Sequence, residues 1–227
     1  TMQGDSAVTT SQFASIFLRG NPVLAATSMV RFYRAKDEHD AVRMTERMGE
    51  IRSRITVDEL LDALSDPRFN VRFEAILAMA RMPADPRLTA ALIGVLQGKW
   101  PALTVVAAWA LVRIGDRAAL EPLRTALCSN YRSVRAHSAR ALGTLGDVEM
   151  APELLTRVQQ EGDEDLRLAY ASALGRLGVH AAARPLLEIL RGSQDEAIRM
   201  ELALALARLG GDERHFVQVA RSVRDQP

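Results

Sequence analysis

The residues that could do chemistry are few. Four histidines, His39, His137, His180 and His215, stand far apart in the chain. None has a histidine or cysteine partner at metal-ligand spacing, and none begins a His-Glu pair, so no metal centre is expected. The single cysteine, Cys128, excludes an internal disulfide framework and fits a reducing, cytoplasmic setting. Its place at the end of an apolar helix reads as inert core. No Gly-rich phosphate loop, no G-x-S-x-G and no P-loop pattern occurs. What remains is Trp100 and Trp109 with Arg113 and Arg140, rings and guanidinium groups that suit a nucleotide or an apolar partner. Phosphate binding needs a sustained positive track. The chain carries 29 basic against 28 acidic side chains, a net charge of +1, which argues against nucleic acid. No catalytic residue, metal ligand or cofactor is therefore expected, and the protein reads as a non-enzyme.

Those residues sit on a stretch that the chain keeps rewriting. VRAHSARALGTLGD, from Val134 to Asp147, aligns without gaps under copies that begin at Val71, Leu103, Leu166 and Ile198. The starts are 32, 31, 32 and 32 residues apart, a period that marks a repeat array. Within each copy, apolar or small residues fall at positions one, five, eight, nine and twelve: Val134, Ser138, Ala141, Leu142 and Leu145 in the third. On a helix these share a stripe roughly 100° wide. Alanine dominates positions five and eight, allowing helices to approach closely. Gly115, Gly146, Gly178 and Gly210 stand where a left-handed stop needs no Cβ. Asp85, Asp116, Asp147 and Asp212 read as N-caps of the next helix. Each copy is thus half of a helical hairpin that cannot bury its apolar face alone, so the hairpins must stack. The expected fold is all-α, a right-handed α-solenoid.

Residues 1–12 look disordered or foreign to the fold, and no signal peptide or bilayer-length apolar run is present. Residues 13–227 are expected to form one domain. Within it, residues 13–50 supply lead-in helices and a degenerate repeat, with a helix from Pro22 to Arg34 and a weak inner copy from Asp37 to Gly49. These should pack through Leu24, Met29, Val30, Met44 and Met48. Five repeats span 56–212. Thr56 to Glu59 resembles a capping box, and outer helices should follow at Val57–Ser65, Pro86–Gln97, Arg117–Cys128, Val148–Gln160 and His180–Arg191. A terminal helix is expected over 213–224. It keeps Phe216, Val217 and Val219 without an inner partner, so the chain reads as a piece of a larger protein.

The pattern D-P…V-R-x-x-A-x-x-A-L-x-x-L-G-D resembles HEAT repeats of the short bacterial type named after phycobilisome lyases. Asp66-Pro67, Val71-Arg72, Val134-Arg135, Ala141-Leu142, Leu145-Gly146-Asp147, Leu166-Arg167 and Leu177-Gly178 carry the match. The resemblance is specific for fold and poor for function. It implies that Arg72, Arg135, Arg167 and Arg199, at position two, form an inter-repeat ladder with acidic residues, broken at Thr104. Residues 13–50 followed by such repeats also resemble the cytoplasmic tail of some bacterial major-facilitator-like transporters.

One feature could make a site. Positions three, six, seven and ten point away from the buried stripe and should line a concave surface. There the chain places Phe73, Val105, Leu168 and Met200 at position three, and Leu77, Trp109, Arg140 and Leu204 at position seven. Arg81 and Arg113 edge the strip. Such apolar strips mark binding grooves, so the expected function is a scaffold that holds a protein or peptide segment, with Trp109 as its anchor. The alternative readings are a lyase-like subunit gripping a tetrapyrrole, with arginines for its propionates, and a soluble appendage of a membrane transporter.

Overall fold

The computed structural model describes residues 19–211, 213–215 and 218–219. The expectations for residues 1–12, for Asp212 and for most of the terminal helix fall outside them. Among the described residues, every regular element is helical and no strand occurs. The helices divide into two compact units, 1–92 and 93–227.

In the first unit, α1 (Pro22–Arg34) and α2 (Glu38–Ile51) precede the hairpin of α3 (Val57–Ala63) and α4 (Phe69–Met79). Asn21 opens α1 by accepting from the amides of Val23 and Leu24, and Asp37 opens α2 by accepting from Asp40. Both caps satisfy amides that a first turn leaves free. Ala25, Ser28 and Phe32 of α1 are buried, as are Met44, Met48 and Ile51 of α2. Val30 instead lies 49% exposed, because it stands on the opposite face of α1 from Phe32. The capping box at Thr56 does not form. The Thr56 hydroxyl donates to the Ser53 carbonyl at 2.8 Å, inside a 3-10 turn over Arg54–Thr56 that already orders the chain ahead of α3. From α5 (Pro86–Leu96) the chain passes into the second unit.

There the hairpins follow in order: α6 (Pro101–Ile114) and α7 (Leu120–Ala126), α8 (Arg132–Leu145) and α9 (Ala151–Gln160), α10 (Glu164–Leu177) and α11 (Ala183–Gly192), then α12 (Glu196–Leu209). Gly115, Gly146 and Gly178 stop α6, α8 and α10 at φ of 75°, 74° and 69°. In the last copy the left-handed residue is Gly211 at φ 78°, one place later than expected. The outer helices α7, α9 and α11 are shorter than the sequence suggests. Each begins with a 3-10 turn (Arg117–Ala119, Val148–Met150, His180–Ala182), and Pro122, Pro152 and Pro185 then fall within the first α-helical turn, where proline is tolerated.

The stripe is buried as the period requires. Leu103, Ala107, Ala110 and Leu111, their counterparts Val134, Ser138, Ala141 and Leu142, and then Leu166, Tyr170, Ala173 and Leu174 are all 4% exposed or less. Each fully buried leucine among them contributes about 1.5–3 kcal/mol by its removal from water. Position six, expected at the surface, is buried as well: Ile76, Ala108, Ala139, Ala171 and Ala203 are 0–1% exposed. Position six thus turns inward in every copy, whereas positions three and ten of the same i, i+3, i+7 row vary between buried and half-buried.

Position-two arginines do a different job from the expected ladder. Arg72, Arg135 and Arg199 each donate through Nη1 to the carbonyl six residues earlier, that of Asp66, Ser129 and Ser193. Those carbonyls belong to the turn between outer and inner helix of the same hairpin. Ion pairs between hairpins come from other arginines. Arg124 grips Asp147 at 2.6 and 2.7 Å and reaches Glu149 at 2.8 Å, while Arg132 meets Asp163 and Asp165. Asp147, expected as a helix cap, makes no side-chain cap and is spent on Arg124 with only 2% of its side chain exposed. Cys128, expected in the core, is exposed, because α7 ends at Ala126 and the thiol lies in the turn beyond it.

Candidate functional site

The inner helices carry the expected strip, and their spacing decides how much of it faces water. Gly143 stands at position ten of α8. A Cβ built there would lie 2.6 Å from the Cα of Ala173 at position eight of α10. Gly175 at position ten of α10 meets Ala205 of α12 in the same way, at 2.8 Å. In the first unit, a Cβ on Gly49 of α2 would lie 2.7 Å from the Cα of Ala78. At these places the helices touch backbone to backbone, and only glycine fits.

Such contact closes the strip over α8, α10 and α12. Ala136, Leu168, Ser172 and Ala207 are buried, at 5–8% exposure. Leu168 is therefore corrected: it is a packing residue without usable contact surface. Above Ser172, the guanidinium of Arg140 on α8 reaches Glu201 on α12 at 3.5 Å. The pair spans the helix between them, so Arg140 is engaged by a carboxylate of its own chain. Met200 and Leu204 remain half-buried.

Helix α6 differs. Position ten there is Val112, a branched side chain in the place that glycine holds in α8 and α10. Trp109 is 44% exposed, Val105 and Val112 are half-buried beside it, and Arg113 is exposed. These four occupy one face of one helix at i, i+4, i+7 and i+8. In the first unit, Phe73 and Leu77 of α4 are half-buried, with the Phe73 ring 6.2 Å from that of Phe69. Arg81 faces Glu74 at 3.6 Å. Burial holds the Glu74 carboxyl above the ordinary glutamate range, Arg81 pulls it back, and Glu46 and Glu50 add to the rise. Sequence reasoning missed Glu74 and Glu201. Both occupy position four, which the apolar period ignores.

Trp100, the other tryptophan, is 59% exposed at the N-cap of α6. Two of the histidines meet the backbone: His137 Nδ1 lies 2.8 Å from the Ser133 carbonyl and His180 Nδ1 lies 2.8 Å from that of Gly178. Among the described residues, no group of three His, Cys, Asp or Glu side chains converges as a metal site, and no helix is long and apolar enough to cross a membrane.

The profile of the HEAT repeats matches residues 95–170 and 151–225, more than half of the chain. The chain belongs to the HEAT-repeat family. Solved structures agree on the fold. The complex of CpcE and CpcF of phycocyanin lyase from Nostoc sp. PCC7120 contains a chain with 19% identity and a TM-score of 0.53, covering 96% of this chain and 91% of that one. An engineered protein matches at 19% identity and a TM-score of 0.55, over 84% of this chain and 98% of its own. Identity this low establishes stacked HEAT hairpins and carries no activity with it. No curated protein matches the sequence significantly. On the inner helices of these HEAT repeats, Trp109 of α6 stays 44% exposed, whereas the Arg140–Glu201 pair lies across the helices that follow.

Proposed function

We propose that this HEAT-repeat protein is a non-enzymatic scaffold that binds a protein segment on the α6 face, through Trp109 with Val105, Val112 and Arg113. The observation that carries the reading is Trp109 itself. A tryptophan 44% exposed among half-buried valines, with an exposed arginine at its edge, has the composition of an interface anchor. The complementary ligand is an amphipathic helix or apolar strand with an acidic residue placed against Arg113. Phe73, Leu77 and Arg81 form a separate half-buried surface of the first unit, and Met200 and Leu204 in the same unit as α6 supply further contact area. Arg140 joins them only for a partner that displaces Glu201.

The test is affinity capture with the wild-type chain and with Trp109→Ala, the bound proteins being identified by mass spectrometry. Truncating an anchor costs about 2 kcal/mol or more, roughly thirtyfold in affinity, so the variant should lose partners that the wild type retains. A folded Trp109→Ala protein that keeps every partner would sink the proposal. The tetrapyrrole reading draws support from the fold shared with a phycocyanin lyase chain and from Arg113 beside an apolar surface. Absorbance titration with bilins and haem decides it: a shifted spectrum lost in Arg113→Gln supports it, and an unchanged spectrum removes it.

A further inference from the structure

The repeats allow each hydrogen bond to be compared with its counterpart one hairpin away, and two of them are missing. Four copies carry an arginine at position two. In three, Arg72, Arg135 and Arg199 close the preceding turn by donating to the carbonyl six residues back. Arg167 makes no such bond. Its nearest carboxylate, Glu164, lies 3.9 Å away.

The turn residue itself shows a second exception. Asp66, Ser129 and Glu161 each use the side chain to accept the amide two residues on, that of Arg68, Tyr131 and Asp163. Their counterpart Ser193 does not. Its hydroxyl oxygen has no partner, although the residue is only 6% exposed. A buried polar atom left unsatisfied costs stability and calls for a cause.

Both exceptions line one cleft. It holds about 580 Å³ between α9, the first turn of α10 and α11, within the range of small-ligand sites. Val158, Pro185 and Ile189 form an apolar wall, and Arg167, Ser193, Glu164 and Glu188 present polar groups. Glu188 pairs with Arg184 at 3.2 Å, with side chains 63% and 90% exposed, an arrangement that binds weakly.

The charges narrow the ligand. A simple anion would face two carboxylates against one guanidinium. A simple cation would meet no need of the Arg167 guanidinium and would leave the Ser193 hydroxyl as unsatisfied as before. A molecule with both charges meets every group: its carboxylate accepts from Arg167 and Ser193, its ammonium donates to Glu164 and Glu188, and an apolar side chain covers the wall. We infer that this cleft is a binding site for a zwitterion with an apolar side chain, a free amino acid or dipeptide of the leucine type. The site lies away from the α6 face and does not depend on the scaffold reading.

The test uses the full chain, with amide chemical-shift mapping and calorimetry against L-leucine, leucyl-leucine, 4-methylpentanoate and 3-methylbutylamine. One of the two zwitterions should shift the amides of Arg167, Gly192 and Ser193, and which one binds tighter separates the free amino acid from the dipeptide. The carboxylate or the amine alone should bind at least about tenfold more weakly. Ser193→Ala should weaken binding about tenfold or less while leaving the melting temperature equal or higher, since it removes an unpaired hydroxyl. Arg167→Gln should weaken binding by more than about tenfold. Arg135→Gln, its counterpart in the preceding repeat, should lower the melting temperature and leave binding unchanged. No shift from either zwitterion at about 10 mM, equal binding of 4-methylpentanoate, or binding unaffected by both cleft variants each overturns the assignment.

Discussion

Gly143→Ala asks how closely the inner helices touch. In an isolated helix the change is favourable by about 1 kcal/mol, because alanine loses less backbone freedom than glycine. Here the new Cβ would sit 2.6 Å from the Cα, 2.9 Å from the Cβ and 3.0 Å from the carbonyl oxygen of Ala173. All three belong to the body of α10, so no flexible side-chain end can swing aside. Overpacking of this kind costs about 1–3 kcal/mol, and contact with backbone puts it at the top of that range. The net is a loss of about 2 kcal/mol, or about 4–8 °C in melting temperature for a chain of this size. Gly94→Ala is the internal control. Gly94 lies in α5 with nothing within 4 Å of its Cβ position, so the same substitution should stabilise by up to about 1 kcal/mol. Thermal melts followed by far-UV circular dichroism should therefore move in opposite directions. A Gly143→Ala protein as stable as wild type would refute the backbone contact, and with it the closure of the strip over α8, α10 and α12.

Other outcomes follow from the charged and polar groups. Burial holds the carboxyls of Glu59 and Glu74 above their ordinary value, so the folded state binds protons that the unfolded chain releases. Their contribution to stability grows as pH falls from the raised value towards the unfolded one near 4.3. Glu59→Gln and Glu74→Gln should accordingly raise the melting temperature at about pH 8 and gain much less at about pH 4.5, and an equal gain at both would contradict the burial. Asp66 and Asp163 are lowered, chiefly by hydrogen bonds from Arg68 and Arg132. Their stabilisation is present above about pH 4 and should fade as pH drops below it, a loss that acid titration of Arg132→Gln should show reduced. Arg124→Gln leaves Asp147 buried without its two guanidinium bonds, so it should destabilise more than Arg132→Gln, whose carboxylates remain hydrated. The reverse order in urea melts would contradict this. Cys128 should react with a thiol reagent in the native protein without denaturant, and a requirement for urea would place it back in the core.

Period and local chemistry determined the helices. The recurrence of Val, Ala, Leu and Gly at fixed positions carried the hairpins and the buried stripe, and glycine marked the ends of α6, α8 and α10 because only a residue without Cβ reaches φ near 70° unstrained. Asp37, Asp163 and Asp195 open inner helices as local caps, interactions that act over three residues. Sequence alone did not determine which faces meet water. A helical period says which residues share a side, whereas exposure depends on the distance to the next helix, set by residues about thirty positions away. Gly143 against Ala173 and Gly175 against Ala205 bring α8, α10 and α12 together and bury Leu168 and Ser172. On α6 the matching place is Val112, and Trp109 stays 44% exposed. The choice of ionic partners was likewise tertiary. Arginines are identical as letters, yet Arg135 closes a turn, Arg140 crosses to Glu201 and Arg167 is left in a cleft. Which acceptor a guanidinium finds depends on what the packed helices bring within hydrogen-bonding reach.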